Sequence, residues 1–311
     1  MPRSAMTVRF RRFYPGFNPD RFWLPLLRYV VQGNVEQTSS PRADLVVTSV
    51  FETRKEAWKR RITSRLAAPS LPNPPQRLSR RTKSVWFTGE NIRPPVSDYD
   101  LTLSFDLDSF GGTNLYFPLI LTELNWSEDG VVLGEQGINS RTGLPRMTPS
   151  QVAQDRWIDP STRPKFACAF VGNPEPIRIR AIEALGAIQE VDVFGSAVGR
   201  PVESKVAIAR SYRFMLCFEN DLYPGYVTEK ALEAYQTGCV PLWRGLDSSG
   251  ILNPAAVVNA ADFVSLREFV ARVSMLNSSH VDMQRVTSQP LFSDRPHLDL
   301  VINRLRNLLD S

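Results

Sequence analysis

Short apolar runs, bounded by Gly, Pro, Asn or Asp, alternate with segments of helical periodicity along most of the chain. In the first half, Thr7–Phe13, Leu45–Phe51, Ser84–Thr88 and Asp100–Phe105 read as strands. Asn18-Pro19-Asp20 predicts a helix running through Val31, with Asn18 as cap and Pro19 at the first helical position. Pro69, Pro72, Pro74 and Pro75 make Ala67–Pro75 a loop. From Gly143 to Pro164 the composition turns to Pro, Thr, Ser, Gln and Arg without apolar periodicity, which places a domain crossing there.

The second half resumes the alternation. Phe166–Val171 predicts a strand and Pro176–Leu185 a helix ending at Gly186. Phe214–Phe218 is a further strand, and Glu229–Thr237 a helix with Thr228 as its cap and Gly238 past its end. Cys239–Trp243 is the next strand, and Leu298–Leu309 a terminal helix expected to pack across the domain interface. Strand–helix alternation in both halves implies an α/β protein of two domains with mainly parallel sheets and a ligand cleft between them. The division expected is 1–158 and 159–311.

Composition narrows the class. The 311 residues suffice for two cores, and 42% hydrophobic with 22% charged residues is a globular mixture. Net charge is +5, with much of the excess early, in Arg9, Arg11, Arg12, Arg21, Arg28, Arg54, Lys55, Lys59, Arg60, Arg61, Arg77, Arg80, Arg81 and Lys83. Such a balance suits a phosphorylated substrate, nucleic acid or peripheral contact with an anionic membrane face, and equally a solvated basic surface. Aromatic residues do not interleave with these arginines at regular spacing, and no nucleic-acid recognition module is visible, so no nucleic-acid partner is expected.

Cys168, Cys217 and Cys239 sit inside apolar runs, and His280 and His297 stand apart, so neither a disulfide framework nor a metal site is expected. Asp106-Leu107-Asp108 has the D-x-D form used by metal–nucleotide sites, but two carboxylates do not specify a hard-metal site, and turn capping explains them. No run approaches the roughly 18 apolar residues of a membrane span, and Met1-Pro2-Arg3-Ser4 lacks a signal-peptide core, so a soluble, cytoplasmic protein is expected.

The chemistry concentrates in Tyr212–Lys230. A buried strand ends in Glu219 and Asn220, a Gly/Pro loop through Tyr226 follows, and a helix starts with Glu229 and Lys230 in its first turn. The end of a strand facing the start of a helix is where open α/β sheets bind nucleotides. Glu229 suits the helix dipole at that position by itself. Lys230 opposes the dipole unless an anion is bound there; the alternative is a solvated surface lysine.

This stretch resembles the signature of the α-1,3/1,4-fucosyltransferases of glycosyltransferase family 10: F-E-N at Phe218-Glu219-Asn220, Y-V-T-E-K at Tyr226–Lys230, then Ala234-Tyr235 and Pro241-Leu242-Trp243-Arg244-Gly245. Trp86-Phe87-Thr88-Gly89-Glu90-Asn91, followed by Asp98-Tyr99-Asp100 and Ser104-Phe105-Asp106, is similar to the family's F-x-G-E-N and D-Y-x-x-x-F-D blocks. Gly172–Arg178 with Glu183-Ala184-Leu185 resembles its S-N-P…I-R…E-A-L stretch, one residue shorter in the loop. The likeness is weakest over Gly111–Phe117 and Thr122–Gly134, in the acceptor half.

The resemblance implies a GT-B fold of two Rossmann-like domains, an N-terminal one for the acceptor and a C-terminal one for GDP-fucose as donor substrate. It implies no required cofactor, and inverting transfer of L-fucose to O3 of GlcNAc or Glc, or to O4, in an oligosaccharide or glycoconjugate. Glu90 matches the proposed catalytic base, Arg178 and Lys230 the phosphate-binding cations, and Asn220, Tyr226 and Glu229 further donor contacts. A carboxylate base suits a poorly nucleophilic sugar hydroxyl, and an Arg fork suits phosphate oxygens. Arg180 is the rival to Arg178, and the register to Glu183-Ala184-Leu185 favours Arg178. The competing readings are a GT-B transferase using another nucleotide sugar, a basic nucleic-acid binder and an inactive glycan-binding relative. The joint presence of Glu90, Arg178, Glu229 and Lys230 speaks against the last.

Overall fold

The β-branched and aromatic runs of the first half assemble in a computed structural model that describes residues 5–51, 82–132, 137–139, 142–159 and 162–311. The expected loop Ala67–Pro75 and the basic residues between Arg54 and Arg81 lie outside the described residues. Strands β1 (Met6–Arg11), β2 (Val35–Gln37), β3 (Leu45–Thr48), β4 (Lys83–Phe87), β5 (Leu101–Ser104) and β6 (Asn114–Tyr116) form one sheet in the order β2-β1-β3-β4-β5-β6. All its pairings are parallel, with Val8 opposite Leu45, Val47 opposite Val85 and Val85 opposite Leu101. Every residue of β3 and β5 is buried, as expected of a parallel sheet covered on both faces.

Differences from the sequence reading are local. The first strand stops at Arg11 because Arg12 turns to φ 57°, outside the extended region. Strands β2 and β6 escaped the sequence reading, being three residues each with few apolar positions. Asn18 does cap its helix, with Oδ1 accepting from Asp20 N at 3.0 Å. The helix itself comes in two pieces, a 3-10 turn at Pro19–Arg21 and then α1 (Trp23–Val31), because Phe22 sits at φ −155°, ψ −53°. Trp23, Leu24, Leu26, Leu27 and Val30 of α1 are buried.

The second sheet contains β7 (Lys165–Phe170), β8 (Val191–Phe194), β9 (Tyr212–Leu216), β10 (Val240–Trp243) and β11 (Val258–Asn259), again all parallel, in the order β11-β10-β9-β7-β8. Its helices are α2 (Pro149–Val152), α3 (Pro176–Gly186), α4 (Lys205–Ala209), α5 (Lys230–Gln236), α6 (Leu266–Ser278) and α7 (His280–Ser288). Phe166, Ala169, Leu185, Phe214, Leu216, Leu242, Phe269 and Val273 form the centre of the core between sheet and helices. Cys168, Cys217 and Cys239 are free and buried. Strand β9 begins and ends two residues earlier than expected, because its register to β7 pairs Tyr212 with Lys165.

The compact units do not follow a single cut at 158/159. One comprises the described residues of Met1–Pro118, Gly130–Gly134 and Leu298–Ser311, the other those of Leu119–Asp129 and Glu135–His297. Helix α8 (Asp299–Asp310) packs on α1 in the first unit, burying Val301, Ile302 and Leu305, while Arg306 Nε donates to the Val30 carbonyl at 3.3 Å. Residues 142–159 go with the second unit: Arg156 lies over the Tyr235 ring, and Thr142 Oγ1 donates to Gln236 at 3.1 Å. Composition marked a change near 143–164 but carried no information on which sheet each flank would bury against. Among the described residues, no helix is long and apolar enough to cross a membrane.

Candidate functional site

Strand order reverses in the second sheet between β7 and β9: the chain passes from β7 outward to β8, then returns to β9 on the other side. In parallel α/β sheets this switch point opens a crevice beyond the carboxyl ends of the two strands. Two loops meet there, Val171–Glu175 after β7 and Cys217–Asn220 after β9, and the side chains between them are polar.

Arg178 joins the two loops. It stands in the first turn of α3 behind Pro176, and although charged it is only 7% exposed. Its Nη1 donates to the Asn173 carbonyl, and its Nη2 donates to the Phe218 carbonyl at 2.9 Å and to Asn220 Oδ1 at 3.3 Å. Burial pulls its pKa below the usual guanidinium range, against the opposing pull of Glu175 and Glu219. The guanidinium fork is thus held by backbone oxygens, which fixes its plane. Arg180 is exposed, two residues on, and makes no hydrogen bond or ion pair with a described residue. Its charge depresses the pKa of Arg244, which burial lowers first.

Glu219 is the residue that sequence reasoning passed over. It stood in the matched motif, but its burial could not be read from spacing. Only 1% exposed, it collects four hydrogen bonds. Oε1 accepts from Thr228 N at 2.9 Å and from Trp243 Nε1 at 3.2 Å. Oε2 accepts from Thr228 Oγ1 at 2.7 Å and from Lys230 Nζ at 2.9 Å. Its own N–H donates to the Arg244 carbonyl at 3.1 Å, which ties the loop to the end of β10.

Two expectations change in consequence. Thr228 does not cap α5. Its hydroxyl is spent on Glu219 and on accepting from Lys230 at 2.8 Å, and the helix starts at Lys230 behind Glu229 without a side-chain cap. The oddity of a cation at this helix start is also resolved inside the protein, because Glu219 supplies the counter-charge. Burial works against the charge on Lys230, but Glu229 and Glu219 outweigh it and raise its pKa above the usual lysine value. The lysine side chain remains 22% exposed. Glu229 is half-buried beside it, Asn220 is exposed, and Tyr226 is buried in the connecting loop, its N–H donating to the Tyr223 carbonyl at 3.0 Å. Arg178, Asn220, Glu229 and Lys230 therefore gather about one short segment, Phe218–Asn220 and the helix start it holds.

Glu90 belongs to the first unit, three residues beyond the end of β4. The turn is fixed through its backbone: Glu90 N donates to Thr88 Oγ1 at 3.0 Å, Thr88 Oγ1 donates to the Glu90 carbonyl at 2.9 Å, and Ile92 N donates to the same carbonyl at 2.7 Å. The carboxylate makes no hydrogen bond or ion pair with any described residue and is half-buried. A positioned backbone with an uncommitted carboxylate at a strand end is what a general base requires. The nearby Asp106-Leu107-Asp108 is a turn device: Asp106 Oδ1 accepts from Asp108 N at 3.2 Å, Asp108 Oδ1 accepts from Phe110 N at 2.8 Å, and Asn114 Nδ2 donates to both backbone carbonyls. Asp106 also lies 3.7 Å from Arg93.

Two parallel α/β sheets, the second with charged side chains at its switch point, place the chain in the GT-B class of glycosyltransferase folds. Crystal structures of an α1,3-fucosyltransferase, alone and with GDP-fucose, superpose with a TM-score of 0.69 at 21% and 20% identity, covering 99% of this chain and 90% and 91% of theirs. Residues 160–286 match glycosyltransferase family 10 (fucosyltransferase), C-terminal domain. Among curated relatives, the α-(1,3)-fucosyltransferase FucT of Helicobacter pylori is 29% identical over 221 residues, 65% of this chain and 46% of that protein. The human 3-galactosyl-N-acetylglucosaminide 4-α-L-fucosyltransferase FUT3 is 26% identical over 259 residues, 77% of this chain and 59% of the relative. The chain thus spans about half the length of the curated relatives it matches.

Proposed function

We propose that the chain transfers L-fucose from GDP-fucose to a hydroxyl of a glycan acceptor, O3 of GlcNAc or Glc or the neighbouring O4, with inversion in a single displacement. The observation that carries this reading is the pair of cations, Arg178 and Lys230, held on either side of Phe218–Asn220 at the switch point of the second sheet. The match of residues 160–286 to a fucosyltransferase C-terminal domain supports the donor class.

In this reading the second unit binds the donor and the first binds the acceptor. Glu90 takes the proton from the acceptor hydroxyl as its oxygen attacks C1 of fucose. The bond from C1 to the β-phosphate oxygen breaks, and its electron pair leaves with GDP. Charge grows on that oxygen in the transition state, and fixed cations aimed there lower the barrier more than mobile solvent would. The positive charge comes from side chains. Asn220, Tyr226 and Glu229 complete the donor contacts.

Calorimetry tests the donor. GDP-fucose is expected to raise the melting temperature, as any ligand selective for the folded state does, and UDP-galactose to do much less. Equal stabilisation by both would overturn the assignment and favour a transferase for another nucleotide sugar. A transfer assay with N-acetyllactosamine-type and lactose acceptors, read by product linkage, then decides between O3 and O4.

A further inference from the structure

We propose that Glu219 is a positioning residue for the donor: one carboxylate oxygen aims the Lys230 ammonium, while the other ties the loop to the helix start and β10. This rests on the reading of Lys230 as a diphosphate contact.

The two oxygens divide the work. Oε1 takes the backbone N–H of Thr228 and the indole of Trp243, both fixed donors in the frame of the unit. Oε2 takes the Thr228 hydroxyl and the Lys230 ammonium, and that hydroxyl also accepts from Lys230, closing a three-membered ring of polar groups. A lysine has a flexible stem of four methylenes, and holding it in one rotamer costs side-chain entropy. Glu219 and Thr228 meet that cost in the folded protein, before any ligand arrives. With two directions of the ammonium taken, its remaining N–H has a defined heading.

Glu219 also acts in the opposite sense, because a carboxylate near a diphosphate repels it. Which effect wins depends on where the charge sits. Glu219 is 1% exposed and its negative charge is shared over four donors, so its reach is short. An ammonium that loses its hydrogen bond to a carboxylate at a largely buried site must swing to solvent or lose its proton. Orientation therefore outweighs repulsion, and removal of the charge weakens donor binding.

Glu219→Gln separates the two functions. The amide oxygen keeps the Oε1 partners, and the amide NH2 that replaces Oε2 can only donate to the Thr228 hydroxyl, reversing that bond, and faces the Lys230 ammonium donor to donor. GDP affinity is measured by calorimetry for wild type, Lys230→Ala, Glu219→Gln and the double variant, with the melting temperature of each. Glu219→Gln is expected to lose about tenfold or more in GDP affinity, and Lys230→Ala in the Glu219→Gln background to lose far less than in wild type. Trp243→Phe, which removes the indole donor to Oε1 together with part of a buried ring and leaves the Oε2 partners in place, is expected to lower the melting temperature and leave GDP affinity within about threefold. Should Glu219→Gln not fold, Thr228→Ala replaces it, stripping the hydroxyl from the Oε2 side, with an expected loss of about threefold or more.

Wild-type protein that fails to bind GDP, or Lys230→Ala that binds it as wild type does, overturns the underlying reading and this inference with it. Normal GDP affinity in Glu219→Gln, or in Thr228→Ala where that variant is used, or additive losses in the double variant, overturns this inference alone. Loss of affinity in Trp243→Phe equal to that in Glu219→Gln makes the carboxylate merely structural and overturns it as well.

Discussion

The Arg178 guanidinium reaches 42 residues along the chain to donate to Asn220 Oδ1 at 3.3 Å, with the Phe218 carbonyl 2.9 Å from the same nitrogen. The contact crosses the switch point and makes two loops one surface. Arg178→Ala is expected to weaken GDP binding by about 1.5–3 kcal/mol, the range for a hydrogen bond to a charged group. Arg178→Lys is expected to recover little, because an ammonium cannot reproduce the planar fork held by carbonyls on two loops. Arg180→Ala is expected to be milder. Titration calorimetry of the three variants checks this, and a larger loss in Arg180→Ala than in Arg178→Ala would mean that the exposed arginine is the donor contact.

Glu90 has its backbone fixed, and among the described residues its carboxylate has no hydrogen-bond or ion-pair partner. Glu90→Gln is expected to leave GDP affinity nearly intact while turnover falls roughly 10²-fold or more, since a base acts on the acceptor proton in the transition state. Stability is expected to change little. Turnover close to wild type in a folded Glu90→Gln protein would assign the proton to another group.

Asp192 in β8 accepts from the Tyr212 hydroxyl and from Lys165 Nζ at 2.9 Å. These bonds hold its pKa below the usual carboxylate value. A folded-state pKa below the unfolded one means that the native state binds fewer protons, so the contribution is present above the unfolded pKa of about 3.9 and lost as pH falls through the folded value. Asp192→Asn is therefore expected to lower the melting temperature by a few degrees at pH 7, with a gap that holds down to about pH 5 and narrows below about pH 4. Melting curves of both proteins across that range provide the check, and a gap that widens on acidification would contradict it.

Gly195 follows β8 at φ +116°, and a Cβ there would lie 2.3 Å from the Val171 carbonyl oxygen. Backbone occupies the space, so no side chain can move aside. Gly195→Ala is expected to destabilise by roughly 2–4 kcal/mol, in the class of strained special-φ substitutions. Gly199, also at positive φ but with nothing near its Cβ, is expected to tolerate alanine better. Denaturant unfolding compares the two, and equal losses would remove the steric account.

Local features were legible in the sequence wherever neighbours along the chain decide them. The Asn18 cap, the Pro176–Gly186 helix and the buried strands β3, β4, β5, β7 and β10 follow from turn chemistry and apolar runs a few residues long. Short edge strands such as β2 escaped because a sheet edge needs no apolar run. Thr228 was misread for the opposite reason: its spacing to the helix fits a cap, but a buried carboxylate nine residues upstream competes for the hydroxyl and wins.

By itself, the sequence determined the alternation of strands and helices, the two parallel α/β sheets it implies, and the motifs that resemble those of glycosyltransferase family 10. Tertiary structure alone decided that Glu219 is buried, that it holds Lys230, that Arg178 faces Phe218 and Asn220 while Arg180 faces solvent, and that the last helix joins the first sheet's unit. The physical reason is separation along the chain. A cap or an amphipathic stripe is specified within one or two turns of backbone, whereas a contact spanning 40 residues exists only once β9 has paired with β7.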